Sequence, residues 1–152
     1  LLAANLVIRL ESDYLKFFQS FIASMVEMGG INLPRTISTM LGRNLGKIYK
    51  ERGVTDQKVA LTSMFKAMGG KKVSFEDIEN GYIITTEFPT DFCSIGGGLK
   101  PKRYNMFVES ICFPYAKGFL SQFNPNATIS VDCEACVLRD PDNKCVMQVS
   151  FN

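Results

Sequence analysis

Two neighbouring segments near the end of the chain decide its architecture: Ala127-Thr-Ile-Ser-Val-Asp-Cys133-Glu-Ala-Cys136 and, after Arg139-Asp-Pro-Asp-Asn143, the run Lys144-Cys-Val-Met-Gln-Val-Ser-Phe151. In the first, Ile129, Val131 and Cys133 recur at every second position. In the second, Cys145, Met147, Val149 and Phe151 do the same. A period of two is that of a strand with one apolar face, and the Asp/Pro/Asn-rich link is built of turn formers, so the pair reads as a β-hairpin. Two thiols stand at strand ends on apolar faces, and Cys136 lies just beyond the first strand.

Upstream, a second hairpin is predicted. Val73 to Glu76 leads to Asn80-Gly81, a dipeptide suited to a type I′ turn, and Tyr82 to Phe88 returns before Pro89. The segments before it have the helical period. Ser12 is a candidate N-cap for a helix carrying Leu15, Phe18, Phe21, Ile22, Met25 and Val26 up to Gly29-Gly30. Pro34 opens a second helix to about Arg52, with Ile37, Met40, Leu41, Leu45 and Ile48 read as its inward face. Gly42 and Gly46 share a face of that helix and suggest the close approach of another backbone. Thr55-Asp56 starts a third helix, with Val59, Leu61, Met64, Phe65 and Met68, ending at Gly69-Gly70. Residues 5 to 11 alternate weakly and read as an edge strand or extended lead-in.

Residues 89 to 102 read as a loop. Its Gly96-Gly97-Gly98 lacks the Gly-Lys-Ser/Thr of a phosphate-binding loop, so it is a connection and no nucleotide cradle. From Tyr104 to Phe123 the helical pattern returns, and Pro114 must bend that helix beside Cys112 because it removes the hydrogen bond to the Ser110 carbonyl. The fold class is therefore α+β: helices, one of them kinked, on an antiparallel sheet made of hairpins. One domain spans residues 1–152.

Composition narrows the function. The chain has 152 residues, 46% hydrophobic and 21% charged, enough for one packed core, and a net charge of +2 gives no electrostatic case for nucleic acid. No apolar run reaches the ~18 residues of a spanning helix, and the opening Leu1-Leu2-Ala3-Ala4 has no basic leader region, so a cytoplasmic setting is expected. There is no histidine. That removes the usual general base, the Ser/His and Cys/His nucleophile pairs and imidazole metal ligands.

The cysteines carry the most specific pattern. Cys112, Cys133, Cys136 and Cys145 form C-x20-C-x2-C-x8-C, the sequence form of a tetrahedral zinc site, and four thiolates would make a closed structural shell with no open position for catalysis. Cys93 is left as an odd thiol in the glycine loop, which speaks against a disulfide scaffold. The plain alternative is that these thiols are buried, inert small hydrophobes.

The run Cys112-Phe-Pro-Tyr-Ala-Lys-Gly118-Phe-Leu-Ser-Gln-Phe123, then Ile129 to Cys136, then Asp140 to Cys145 and Val146 to Val149, resembles the 4-vinyl reductase, or hydrocarbon-binding, domain over about residues 104–152. An acidic ligand of that family is replaced here by Cys133, and its usual Gly-Asp turn by Arg139-Asp140-Pro141-Asp142. The resemblance implies helices packed on an antiparallel sheet around an apolar cavity, commonly in a homodimer. It also implies kinship with aromatic-responsive sensor domains, haem nitric-oxide-binding domains and transport-particle subunits of vesicle tethering. Haem is set aside for want of a proximal histidine. The expected function is binding of a small hydrophobic ligand, aromatic compounds included, by a zinc-stapled domain. Phe21, Met25, Met40, Phe65, Tyr115 and Phe119 are the candidate pocket, and residues 89 to 102 its entrance. The alternative is a protein-interaction or dimerisation subunit with a closed core, and a reductase accessory enzyme comes third.

Overall fold

The structure is a computed structural model that describes the backbone of residues 2–90 and 92–152 and the side chains of residues 13–90 and 92–152. Three helices come first: α1 (Leu2–Gly29), α2 (Asn32–Glu51) and α3 (Gln57–Ala67). Strands β1 (Lys72–Ile78) and β2 (Gly81–Glu87) follow. A 3-10 turn at Pro101–Arg103 then leads into α4 (Tyr104–Phe107), a π-helical turn at Val108–Cys112 and α5 (Phe113–Leu120), and the chain closes with β3 (Ile129–Ala135) and β4 (Lys144–Phe151). The four strands form one antiparallel sheet in the order β1-β2-β4-β3. The α+β class is thus as the sequence implied.

Both hairpins are present, and the final one fixes the inner face of the sheet. Val131, Cys133, Met147 and Val149 join Tyr82 and Ile84 of β2 in facing the helices, while Asp132, Gln148 and Ser150 stand on the other face. The first turn differs from expectation. Ile78 pairs with Gly81, so the turn residues are Glu79 and Asn80, and no non-glycine residue described has a positive φ. Gly81 is needed for space. A Cβ there would lie 1.9 Å from the Val149 carbonyl oxygen on the neighbouring β4.

The helix starts and stops follow local chemistry. Asp56 caps α3, its carboxylate accepting from the backbone N–H of Lys58 at 2.7 Å and of Val59 at 3.3 Å. Gly53 and Gly69 take positive φ just beyond α2 and α3, where a left-handed residue ends a helix without a Cβ penalty. Residues 5 to 11, read as an edge strand or extended lead-in, are helical, and Ser12 lies inside α1 rather than at its start. The local alternation there is too short to outweigh the 3.6 period running through to Met25.

The second helix packs the other way round from the reading of its sequence. Its buried positions are Pro34, Ser38, Gly42 and Gly46, whereas Met40, Leu41 and Ile48 are exposed. The cause lies in α5. A Cβ on Gly42 would stand 2.1 Å from the Tyr115 carbonyl oxygen, one on Gly46 2.7 Å from that of Phe119, and one on Gly118 2.2 Å from that of Thr39. The two backbones touch, which only the small-residue face of α2 permits. Leu45 and Tyr49 flank this contact and pack on the core, where Tyr49 meets the fully buried Phe119 edge-on with ring centroids 5.7 Å apart.

Candidate functional site

Two apolar spaces lie side by side, one within the helical layer and one between helices and sheet. The first is an open groove of about 460 Å³ between α1, α2 and the kinked helix, with Phe18, Phe21, Ile22 and Met25 on one side and Pro34, Ile37, Ser38 and Leu41 on the other. Ile111, Tyr115, Met68 and Ile95 complete it. A volume above about 300 Å³ with an apolar lining is the usual character of a small-molecule site. Thr36 and Thr39 turn their hydroxyls back to the Asn32 and Arg35 carbonyls, at 2.9 and 3.0 Å, while the buried Ser38 lines the groove. Tyr115 brings the phenol, whose pKa burial raises above its ordinary value.

The second space is a small, enclosed cavity of about 30 Å³ walled by Cys93, Cys112, Cys133, Cys136 and Cys145 with Phe65, Phe88, Val108, Leu138 and Met147. Ile95 and Met68 belong to both linings and separate the two. Around Ile95 the glycine loop therefore forms a partition between the two spaces. Gly96 presses against Leu138, where an added Cβ would come within 2.3 Å of a Leu138 methyl.

The fold brings the cysteines together from separate elements. Pro114 at the start of α5 cannot donate to the Ser110 carbonyl, and the preceding turn widens to π geometry, which carries Cys112 to the cavity wall. The bulge between Cys133 and Ala135 in β3 changes the alternation, so that Cys133 and Cys136 both face inward. Cys133, Cys136 and Cys145 lie within hydrogen-bonding reach of one another. The pKa of Cys133 is pushed down to about 3, first by hydrogen bonds from the thiols of Cys136 and Cys145, then by the Tyr104 hydroxyl and the charge of Arg139, against the opposing effect of burial. Its neighbours move the other way: Cys136 and Cys145 are raised chiefly by donating to Cys133. Cys112 is raised chiefly by burial. Arg139 is fixed over the Tyr104 ring, 4.8 Å from its centroid, and forms an ion pair with Asp140 at 3.1 Å.

This convergence is not a zinc centre. Among the described residues no group of three or more Cys, Asp or Glu side chains is placed to hold a metal ion, so the expected shell of Cys112, Cys133, Cys136 and Cys145 is corrected. The reason is visible in the partners. Cys133, Cys136 and Cys145 come from the last hairpin within hydrogen-bonding reach of one another, whereas Cys112 comes from the π turn of the kinked helix. Cys93, expected to lie apart, faces the same cavity.

Of the candidate pocket residues, Phe21, Met25 and Tyr115 line the groove, and Phe65 lines the thiol cavity. Phe119 is buried in the contact with α2, and Met40 points to solvent, 52% exposed. The sequence reading did not place Ser38, Ile95 or Ile111 at the groove. Ser38 could have been found from its spacing of four before Gly42 and Gly46, on the same face of α2; Ile95 sits in a loop with no periodicity to reveal it.

No known protein family matches this sequence, and no characterised protein matches it by sequence. The fold does have a counterpart. The chain is similar to subunit 3 of a trafficking protein particle complex from Naegleria fowleri, solved covalently bound to palmitic acid, with a TM-score of 0.59 and 12% identity over 93% of this chain and 95% of that one. At that identity the likeness is one of fold. It is a likeness to a trafficking-particle subunit and not to a vinyl reductase, which, with the metal geometry, corrects the zinc-bearing vinyl-reductase reading. Among the described residues no helix is long and apolar enough to cross a membrane.

Proposed function

We propose that this chain is a protein-interaction subunit that pairs with a second copy of itself through the outer face of α1 and α2. The observation that carries the proposal is the row of large apolar side chains left in water. Tyr14, Phe17, Phe21 and Met28 recur at helical spacing along α1, and Leu33, Met40, Leu41 and Ile48 along α2. Phe17 and Phe21 stack with ring centroids 6.3 Å apart. An exposed apolar row of this kind marks an interaction site, and a self-complementary patch favours a two-fold dimer. With a net charge of +2 two copies repel each other little. The fold likeness to a subunit of a trafficking protein particle complex supports the same reading.

Mass measurement by light scattering tests it. The wild type should run as a dimer at micromolar concentration and the Phe17→Asp/Phe21→Asp variant as a folded monomer. A wild type that stays monomeric at all concentrations overturns the proposal.

A second reading is favoured by the groove itself: an apolar molecule of acyl or aromatic type lodges between Phe21, Ile37, Leu41 and Tyr115, roofed by the partner copy. The palmitate on the Naegleria subunit is consistent with such an occupant. Binding to the folded state alone would raise stability by about 2.7 kcal/mol at a hundredfold excess over Kd. Palmitic acid and a simple aromatic compared by thermal shift, with Ser38→Phe as the filled-groove control, would decide this reading.

A further inference from the structure

Three of the thiols in the enclosed cavity stand on the last hairpin in a geometry that suits bond formation between them. Cys133 faces Met147 across the β3–β4 pair and, after the bulge, Ala135 faces Val146; Cys136 follows the last paired residue of β3, and Cys145 precedes Val146 in β4. Cys133 reaches both. All five cysteines are free.

The cavity selects the reagent. At about 30 Å³ and lined by apolar side chains and sulfur, it holds a molecule of the size of water or hydrogen peroxide. A bulky charged disulfide such as oxidised glutathione does not fit. We propose that the cluster is an oxidisable thiol site for small uncharged peroxides, in which Cys133 is oxidised and Cys136 or Cys145 closes a disulfide on it.

The atoms balance without another reagent. The Cys133 thiolate attacks one oxygen of hydrogen peroxide, the O–O bond breaks, and the departing hydroxide takes up the proton that Cys133 released on ionising and becomes water, leaving a sulfenic acid on Cys133. The second thiol attacks that sulfur, the S–O bond breaks, and hydroxide leaves with the second thiol proton as another water. Two thiols lose two electrons and one peroxide becomes two waters. The resulting link would alter the segment after β3, where Val137 and Leu138 are buried and Leu138 braces Gly96 of the partition between the two spaces.

The test uses the reduced full chain with one equivalent of hydrogen peroxide, followed by denaturing thiol titration and peptide mapping by mass spectrometry. Two of the five thiols should be lost, mapped within Cys133, Cys136 and Cys145, and restored by dithiothreitol, with oxidised glutathione reacting far more slowly. Cys93→Ser should keep the response and Cys133→Ser should lose it. Mapping on the wild type stands even where a variant fails to fold. Retention of all five thiols, a disulfide between molecules, oxidation confined to Cys93, or glutathione disulfide reacting as fast as peroxide would each overturn the proposal.

Discussion

The two faces of α2 are built on opposite rules. The inner face carries Pro34, Ser38, Gly42 and Gly46 and lies against the backbone of α5, while the outer face carries Leu33, Met40, Leu41 and Ile48 and meets no described residue that buries it. Burial here follows how closely two backbones come together, and the apolar residues are what that contact leaves over. A hydrophobic stripe on a helix therefore does not by itself locate the core of its own domain. On a chain with glycines spaced by four it can locate the next protein instead.

The largest effect that sharpens this contrast should come from the core side of the α2–α5 contact. Phe119 is fully buried, edge-on to Tyr49 and tilted against Phe123. Phe119→Ala should cost about 3–5 kcal/mol in a urea titration, from lost transfer energy and the cavity left behind. A loss below about 1 kcal/mol would mean that the contact is looser than its geometry indicates.

Next in size is the backbone contact itself. Gly42→Ala removes no interaction and adds one methyl, and alanine is the better helix former by about 1 kcal/mol. On an exposed helix face it would stabilise. Here its Cβ would meet the Tyr115 carbonyl oxygen at 2.1 Å, a backbone atom that cannot swing aside, so a destabilisation of about 1–3 kcal/mol is expected. A gain in melting temperature would break the comparison at its root.

How much of this was legible beforehand depends on the range of the interactions involved. The last hairpin could be read from the alternation of Ile129, Val131 and Cys133, because a strand's period reports directly on which face is buried, and the upstream one from Asn80-Gly81 before the β-rich Tyr82 to Phe88. The start of α3 could be read from Asp56, since a cap acts within three residues. The Gly42/Gly46 pair was read as helix packing, and that is where α5 lies. The orientation of α2 could not follow from its own sequence, because its partner Gly118 is 76 residues after Gly42 and only the fold shows that they meet. The thiols were legible as a cluster but not as a chemistry. Spacing says that cysteines converge, whereas the bulge at Cys133 and Ala135, the π turn at Cys112 and the arrival of Cys93 decide which sulfurs bond to which.

The smallest predicted effect is the most discriminating. Met40→Gln changes a side chain that is 52% exposed on the outer face of α2, at a position first read as part of the core. Were Met40 a core residue, an uncompensated amide there would cost some 1–3 kcal/mol or more for the buried polar group. With the side chain in water and glutamine close to methionine in helix propensity, the change should stay within about 0.5 kcal/mol in the monomeric Phe17→Asp/Phe21→Asp background. In the wild-type background the same substitution touches the proposed pairing face, so stability should become concentration-dependent and fall more at high protein concentration, where pairing contributes by mass action. Equal, small effects in both backgrounds would leave the fold standing and remove Met40 from the pairing face. A large loss in the monomer would turn α2 back to the orientation that its hydrophobic pattern first suggested.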